Sequence, residues 1–278
     1  MYTAQLDRHL IHLLKNASQV ISIFVTLIGC GVLVGWLFEI SILKSVLPQW
    51  VAMKPNTALG FVLSGLALNY IRSKEKFKRQ IAQGLALAIA TLGLLTLSEY
   101  IIGWDLKIDH LLFTEPPGAI HTYSPGRMSV MIAVNFTLMG CALWFAAHQS
   151  IRYRQVQVFV LFTALTNLQV LIGYIYGVKP LFGLSSFTYT AIHSAIAFLL
   201  LSVGILFAYP TKGLMSLVIS NSAGGMTARV LLPAALVIPL GLGWLRVFGE
   251  KAGWFDHAFG LSFHVMGNVA AFSALIWY

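Results

Sequence analysis

The sequence predicts an all-α integral membrane protein of about eight transmembrane helices, arranged as four repeated two-helix hairpins with both termini on the inner side. Three observations carry this expectation. The 278 residues are 58% apolar and only 10% charged, with mean hydropathy +0.80, whereas ordinary soluble domains carry about 25% charged residues. Apolar stretches recur that approach or exceed the roughly 20 residues a helix needs to cross a bilayer. Lysine and arginine are sorted between alternate connections, which is the pattern that sets orientation.

In order, the spans fall at about 17–38, 56–71, 81–102, 130–148, 156–177, 188–208, 228–247 and 258–277. A short cytoplasmic segment, 1–16, comes first. It carries Arg8, His9, His12 and Lys15, and no small-residue cleavage site follows a short apolar core, so it does not read as a signal peptide. With both termini inside, the inner segments hold Arg8, Lys15, Arg72, Lys74, Lys76, Lys78, Arg79, Arg152, Arg154, Lys212 and Arg229. The outer ones hold Lys44, Lys54, Lys107, Arg127, Lys179, Arg246 and Lys251. Of the acids, only Asp7 and Glu75 lie inside. The formal charge of +9 is therefore an orientation signal, and no nucleic-acid partner is expected. RSKEKFKRQ (72–80) reads as a topology anchor that touches anionic lipid. Segment 209–227 is too short to span, and reads as an interfacial helix followed by a flexible NSAGG turn on the inner face. Cys30 and Cys141 lie within apolar spans and read as packing residues. Residues 1–278 thus form a single polytopic membrane domain.

An internal repeat supports the hairpin arrangement. A glycine followed by a large aromatic recurs near the outer end of each odd-numbered span: Gly35-Trp36, Gly103-Trp104, Gly173-Tyr174 and Gly243-Trp244, spaced 68, 70 and 70 residues apart. Even-numbered spans share a second pattern. Met53–Leu68 aligns with Met128–Leu143 at an offset of 75, and Thr190–Ile205 aligns more weakly, keeping Ala195, Phe198 and Leu200. A fixed period marks a repeated supersecondary unit. Gly31-x-x-x-Gly35 and Gly60-x-x-x-Ser64 have the small-residue spacing that lets helices approach closely. The expected result is a compact bundle with all four hairpins around a shared centre and their outer ends at one polar mouth.

The candidate ligand-binding residues gather at that mouth: Glu99, Asp105, Asp109, His110, His121, Arg127, Asn56 and His193. The loop from Gly103 to Arg127 is the longest connection and supplies most of them. Glu99 sits just inside the outer boundary, where an acid needs a partner or a wet cavity. The loop, with Asp105, Lys107, Asp109, His110, Glu115, His121 and Arg127, reads first as a solvated cap over the mouth pinned by local ion pairs; the alternative is a pocket for a small polar or anionic ligand with Arg127 as its cation. Asn56 and His193 occupy equivalent places in the even-span pattern, each followed by a hydroxyl, and read first as helix caps that point into the mouth. Arg246, Glu250, Lys251, Asp256 and His257 in the last hairpin read first as structural salt bridges, with a lid over the mouth as the alternative. His264 and Asn268, four apart, are expected to bond across helices. Asp109, His110 and His121 lack tight ligand spacing, so no metal site is expected. No phosphate-binding loop, zinc-protease or nucleophile-elbow motif is present; no catalytic residues and no cofactor are expected.

MKPNTALGFVLSGLAL (53–68), GWDLKIDHLLF (103–113), PGRMS (125–129) and the run from Leu232 to Leu261 resemble the N-terminal multi-helix membrane sensor region of bacterial signalling proteins, of cyanobacterial and proteobacterial type, in which it precedes PAS domains and a histidine kinase or diguanylate cyclase output. The resemblance covers nearly the whole chain and implies no catalytic residue. It implies a sensory input module of the bacterial inner (plasma) membrane that detects a stimulus at the outer face or in the bilayer and relays it through the last helix. The implied partners are the lipid bilayer, a PAS/kinase output domain in cis or in trans beyond Tyr278, and a second copy in a homodimer. The rival expectation is a small-molecule transporter built from hairpin repeats, to which Thr163, Thr166, Asn167 and Gln169 would contribute midplane polarity.

Overall fold

The computed structural model describes residues 7–116, 118–120, 122, 124–148, 153–178 and 189–277. Their helices are α1 (Arg8–Leu37), α2 (Ser41–Lys44), α3 (Pro55–Tyr70), α4 (Lys76–Ile102), α5 (Val130–Ala147), α6 (Tyr153–Tyr176), α7 (Ile192–Ala208), α8 (Leu214–Val218), α9 (Ala223–Lys251) and α10 (His257–Trp277), with one 3-10 turn at Ile108–His110. No β-strand occurs among the described residues. Six helices (α1, α4, α5, α6, α9 and α10) are long and apolar enough to cross a membrane, which is the makeup of a multi-pass membrane protein.

Local chemistry sets the helix ends. The Asp7 carboxylate accepts from the Leu10 amide and the Ser129 hydroxyl from the Ile132 amide, each meeting an otherwise unpaired first-turn donor. Pro55 occupies the first turn of α3, where its missing amide hydrogen costs nothing. Gly103 ends α4 in the left-handed region (φ +79), its amide donating to the Glu99 carbonyl.

At the centre α3, α5 and α7 meet one another, and α1, α4 and α6 pack in the grooves between them. The inner trio closes on three fully buried rings, Phe61, Phe136 and Phe198, with centroid separations of 5.1, 4.7 and 4.8 Å. Such edge and tilted contacts add to the burial energy of the rings. Gly60 is required beside them, since a Cβ there would come within 2.5 Å of the Phe136 ring.

Both ends of the trio are tied. Met53, Met128 and Thr190, which head the three aligned sequence segments, each present a backbone carbonyl one residue before the helix N-cap. Trp36 Nε1 donates to the first (2.8 Å), the Tyr100 hydroxyl to the second (2.9 Å) and the Tyr174 hydroxyl to the third (3.0 Å). The aromatic that serves the second position is Tyr100 rather than Trp104. Trp104 is about half exposed and donates only to Ser98. At the opposite end the Tyr209 hydroxyl proton is shared between the Ile71 and Ala146 carbonyls (3.0 and 2.9 Å), joining the ends of α3, α5 and α7.

Close helix approach uses Gly60 of the expected motifs together with glycines that the sequence motifs do not single out. A Cβ on Gly93 would meet the Ala133 carbonyl at 2.5 Å, and one on Gly140 would meet the Ala90 amide at 2.6 Å, so α4 and α5 touch backbone to backbone. Gly29 and Gly65 do the same for α1 and α3. Gly31 faces open space and Gly35 packs on Leu43 of the short α2, so the Gly31/Gly35 motif does not join two of the long helices.

The last hairpin departs from the expected arrangement. α9 and α10 pack on each other and lie beside the bundle, against α6 and α8, not around the shared centre. Many of their apolar side chains are exposed, Val237, Trp244, Phe259 and Met266 by half or more. NSAGG is a helix start rather than a flexible turn: Ser222 caps α9 by accepting from the Gly225 amide, and Ala223–Gly225 form the first turn. Arg246, Glu250 and His257 bond within this hairpin and do not cover the mouth. Asn268 bonds to His264 on its own helix, so the expected interhelical bond is replaced by a local one.

Candidate functional site

One end of the bundle, hereafter the cap end, carries the loop from Gly103 to Ser129, and two buried ionic centres hold it down. Lys54 and Glu115, 2% and 4% exposed, meet at 2.5 and 2.6 Å. Lys54 Nζ also donates to Thr122 Oγ1 (2.8 Å), and Glu115 Oε2 accepts from the Gly126 amide (2.7 Å). Burial lowers the Lys54 ammonium from its usual range, opposed by the adjacent Glu115 carboxylate.

The second centre joins Glu99, Asp109 and Arg127. Arg127 Nε donates to Asp109 Oδ2 at 2.6 Å and lies 3.4 Å from Glu99 Oε2, with its guanidinium 5.4 Å over the Tyr100 ring. Glu99 Oε1 accepts from the Leu106 amide (2.9 Å), which folds the loop back over the end of α4. Burial raises the Asp109 carboxyl above its ordinary range while Arg127 pulls it down. At Arg127 burial opposes the charge, but Asp109 and Glu99 outweigh it and the pKa rises. Gly126 (φ +73) is required at this crossing, because a Cβ would come within 2.5 Å of the Asp109 carbonyl.

Of the residues the sequence singles out, Glu99, Asp109 and Arg127 come together. Arg127 already serves two carboxylates, so it is not the free cation expected for an anionic ligand. Asp105 is exposed and closes a local turn onto the Lys107 amide; His110 is exposed. His121 lies outside the described residues. Asn56 and His193 are not caps. The N-cap positions are Lys54 and Ala191, with Asn56 and His193 one residue inside the helix start. Asn56 Oδ1 accepts from the Thr57 amide, and its Nδ2 finds no partner among the described residues. Both ring nitrogens of His193 are buried and find no hydrogen-bond partner among the described residues. Among the described residues no three His, Cys, Asp or Glu side chains converge to hold a metal ion.

Beside the Lys54–Glu115 pair opens a cleft of about 610 Å³, within the range of small-molecule sites. Its walls are mainly apolar, from Trp36, Val46, Leu47, Trp50, Pro116 and Ile120, with Lys44 and Glu115 as charged points. Lys44 Nζ stands 4.8 Å over the Trp36 ring. Trp50 is in edge contact with Tyr174 of α6, ring centroids 5.0 Å apart. Two residues on, the Tyr176 hydroxyl donates to the Leu240 carbonyl of α9 (3.1 Å). Sequence reasoning missed Lys54 and Trp50, and did not pair Glu115. The available signal was Lys54 itself, a charge directly before a Pro-initiated apolar helix.

Fold and site together define an all-helical multi-pass membrane protein whose buried charge is gathered at one end. No protein-family model matches the chain, and neither does a curated protein or a solved structure.

Proposed function

We propose that the chain is a sensory input module of a bacterial signal-transduction protein, with a stimulus site at its cap end and a relay through the last hairpin to a cytoplasmic PAS/kinase output. The observation that carries the reading is the position of Trp50, which lines the cleft and also packs on Tyr174. A ligand that reseats Trp50 pushes on the end of α6, and Tyr176 passes the shift to α9. Coupling of this kind needs a contiguous packed route and a differential affinity for two states. α9 suits the moving part: Pro233 and Pro239 interrupt its hydrogen-bond ladder, and it packs on the bundle mainly along α6 and α8, with Arg229 near Asp7 at the start of α1 (3.9 Å). The Phe61/Phe136/Phe198 closure favours a receptor over a conduit.

In this reading the cap end is outside and the basic end inside, following the lysine and arginine distribution. α3 and α7, at 16 and 17 residues, also cross. At 1.5 Å per residue they are shorter than the roughly 30 Å hydrocarbon core, and their burial against protein removes the need to match it. Eight crossings as four hairpins result, three of them around one axis and the fourth beside it.

The test places nitroxides at Lys74→Cys and Trp277→Cys, both exposed positions, and measures their separation by pulsed electron resonance. Trp50→Ala is expected to shift or broaden the distribution on the scale of a helix displacement, about 1–2 Å. Trp104→Ala at the same end leaves it unchanged. Identical distributions in both variants and the parent would remove the relay.

A further inference from the structure

The Glu99–Asp109–Arg127 centre carries excess negative charge in a buried place. Two carboxylates share one guanidinium, and the Glu99 and Asp109 side chains are only 0% and 3% exposed. Among the described residues no other cation makes an ion pair with either. The other titratable groups that face the centre are Tyr100 of α4, under the guanidinium, and Asp105 and His110 of the loop, both exposed. Asp105 adds further negative charge. Across Gly126 the Lys54–Glu115 pair is already matched and supplies no surplus cation.

Hydrogen bonding gives an independent sign of a missing group. Glu99 Oε1 accepts from the Leu106 amide and Asp109 Oδ2 from Arg127 Nε. Glu99 Oε2 and Asp109 Oδ1 are buried and accept from nothing among the described residues. Buried acceptors are normally paired, so these two oxygens call for a hydrogen that their neighbours do not supply. Neither atom has appreciable accessible surface, so the missing group is a proton and not a molecule or a metal ion. Glu99 also lies in the last turn of α4, where the carbonyl end of a helix disfavours an anion.

We infer that this centre is a proton-binding site that fastens the cap. One carboxyl carries the proton and donates it to the free oxygen of the other, leaving a single carboxylate for Arg127. Burial raises Asp109 above the ordinary carboxyl range despite Arg127, the direction that keeping a proton requires. The centre joins the end of α4, the loop at Leu106 and Arg127 just before Ser129, the N-cap of α5. With the proton bound the loop is held; when it leaves, two buried carboxylates repel each other and the loop loosens. The closed cap binds more protons than the open one, so closure weakens as pH rises. The inference goes beyond the cleft and holds whether or not Trp50 relays a stimulus.

The test uses the full chain in a maltoside detergent, which has no carbonyl of its own. Infrared difference spectroscopy follows the carboxylic acid C=O band through a pH titration. Hydrogen exchange of residues 103–113, divided by the intrinsic rate, follows loop opening. The parent is expected to show a protonated carboxyl that titrates away as pH rises. Over the same range its exchange quickens by up to about tenfold per pH unit, the slope of one proton. Glu99→Gln and Asp109→Asn, neutral and of the same shape, are each expected to remove the band and flatten that slope, while Asp105→Asn keeps both. Loss of the band in one variant alone places the proton on that carboxyl. No band in the parent, a band that survives both variants, or an exchange slope in Glu99→Gln equal to the parent's would overturn the site.

Discussion

Glu115→Leu is expected to destabilise the protein by about 3–5 kcal/mol, the cost of leaving a buried charge without its partner. Lys54 is 2% exposed, and its ammonium bonds only to Glu115 and Thr122 among the described residues. Removing the carboxylate strands that charge and also leaves the Gly126 amide unpaired. The double variant Lys54→Met/Glu115→Leu is expected to be more stable than Glu115→Leu alone, because an apolar pair of similar volume replaces the ion pair. Equilibrium unfolding in detergent measures both. The pH dependence has a definite sign. Burial already lowers Lys54 in the parent, and loss of Glu115 lowers it further. Between the folded and unfolded pKa values the unfolded state binds more protons, so stability rises with pH through that window. The window therefore opens at lower pH in Glu115→Leu than in the parent. A single variant costing under about 1 kcal/mol, with the double variant equal to the sum of the singles, would show that the pair does not anchor the cap.

The second large effect is at the α4–α5 contact. Gly93→Val is expected to cost about 2 kcal/mol or more, since its Cβ would press on the Ala133 carbonyl and the Thr137 amide, backbone atoms that cannot rotate away. Gly31→Ala is expected to be neutral or to stabilise by up to about 1 kcal/mol, because its Cβ enters open space and alanine favours helix. Thermal unfolding of the two variants decides. The opposite ranking would restore the Gly31/Gly35 motif as the packing surface.

That contrast shows how far the sequence was legible. The apolar spans were visible because their length and composition are properties of consecutive residues. The alignment of Met53, Met128 and Thr190 was also visible, and those three carbonyls accept the three aromatic donors. Which small residues face a neighbour was not visible, because that depends on helix rotation, and Gly31 points away. Trp104 matched the glycine–aromatic pattern, yet Tyr100, about one turn earlier, does the work. A pattern tied to adjacency cannot find a donor placed by helical phase. Lys54 and Glu115 are 61 residues apart and are paired only because the long loop folds back. The last hairpin carries the same Gly243-Trp244 signature as the others, but its place beside α6 is set by packing that no repeat encodes.

A receptor has a mouth and no passage, and the buried Phe61/Phe136/Phe198 closure is where a passage would have to open. The most direct measurement introduces Ser64→Cys, a fully buried position one turn from Phe61, after Cys30 and Cys141 are replaced by alanine. A membrane-impermeant thiol reagent is then applied from either side, with Lys107→Cys and Glu75→Cys as exposed controls for the two ends. Both controls are expected to react, each from one side only, while Ser64→Cys stays unmodified from both. Modification of Ser64→Cys from either side would mean that the Phe61/Phe136/Phe198 closure opens to water, and the transporter reading would replace the sensory one.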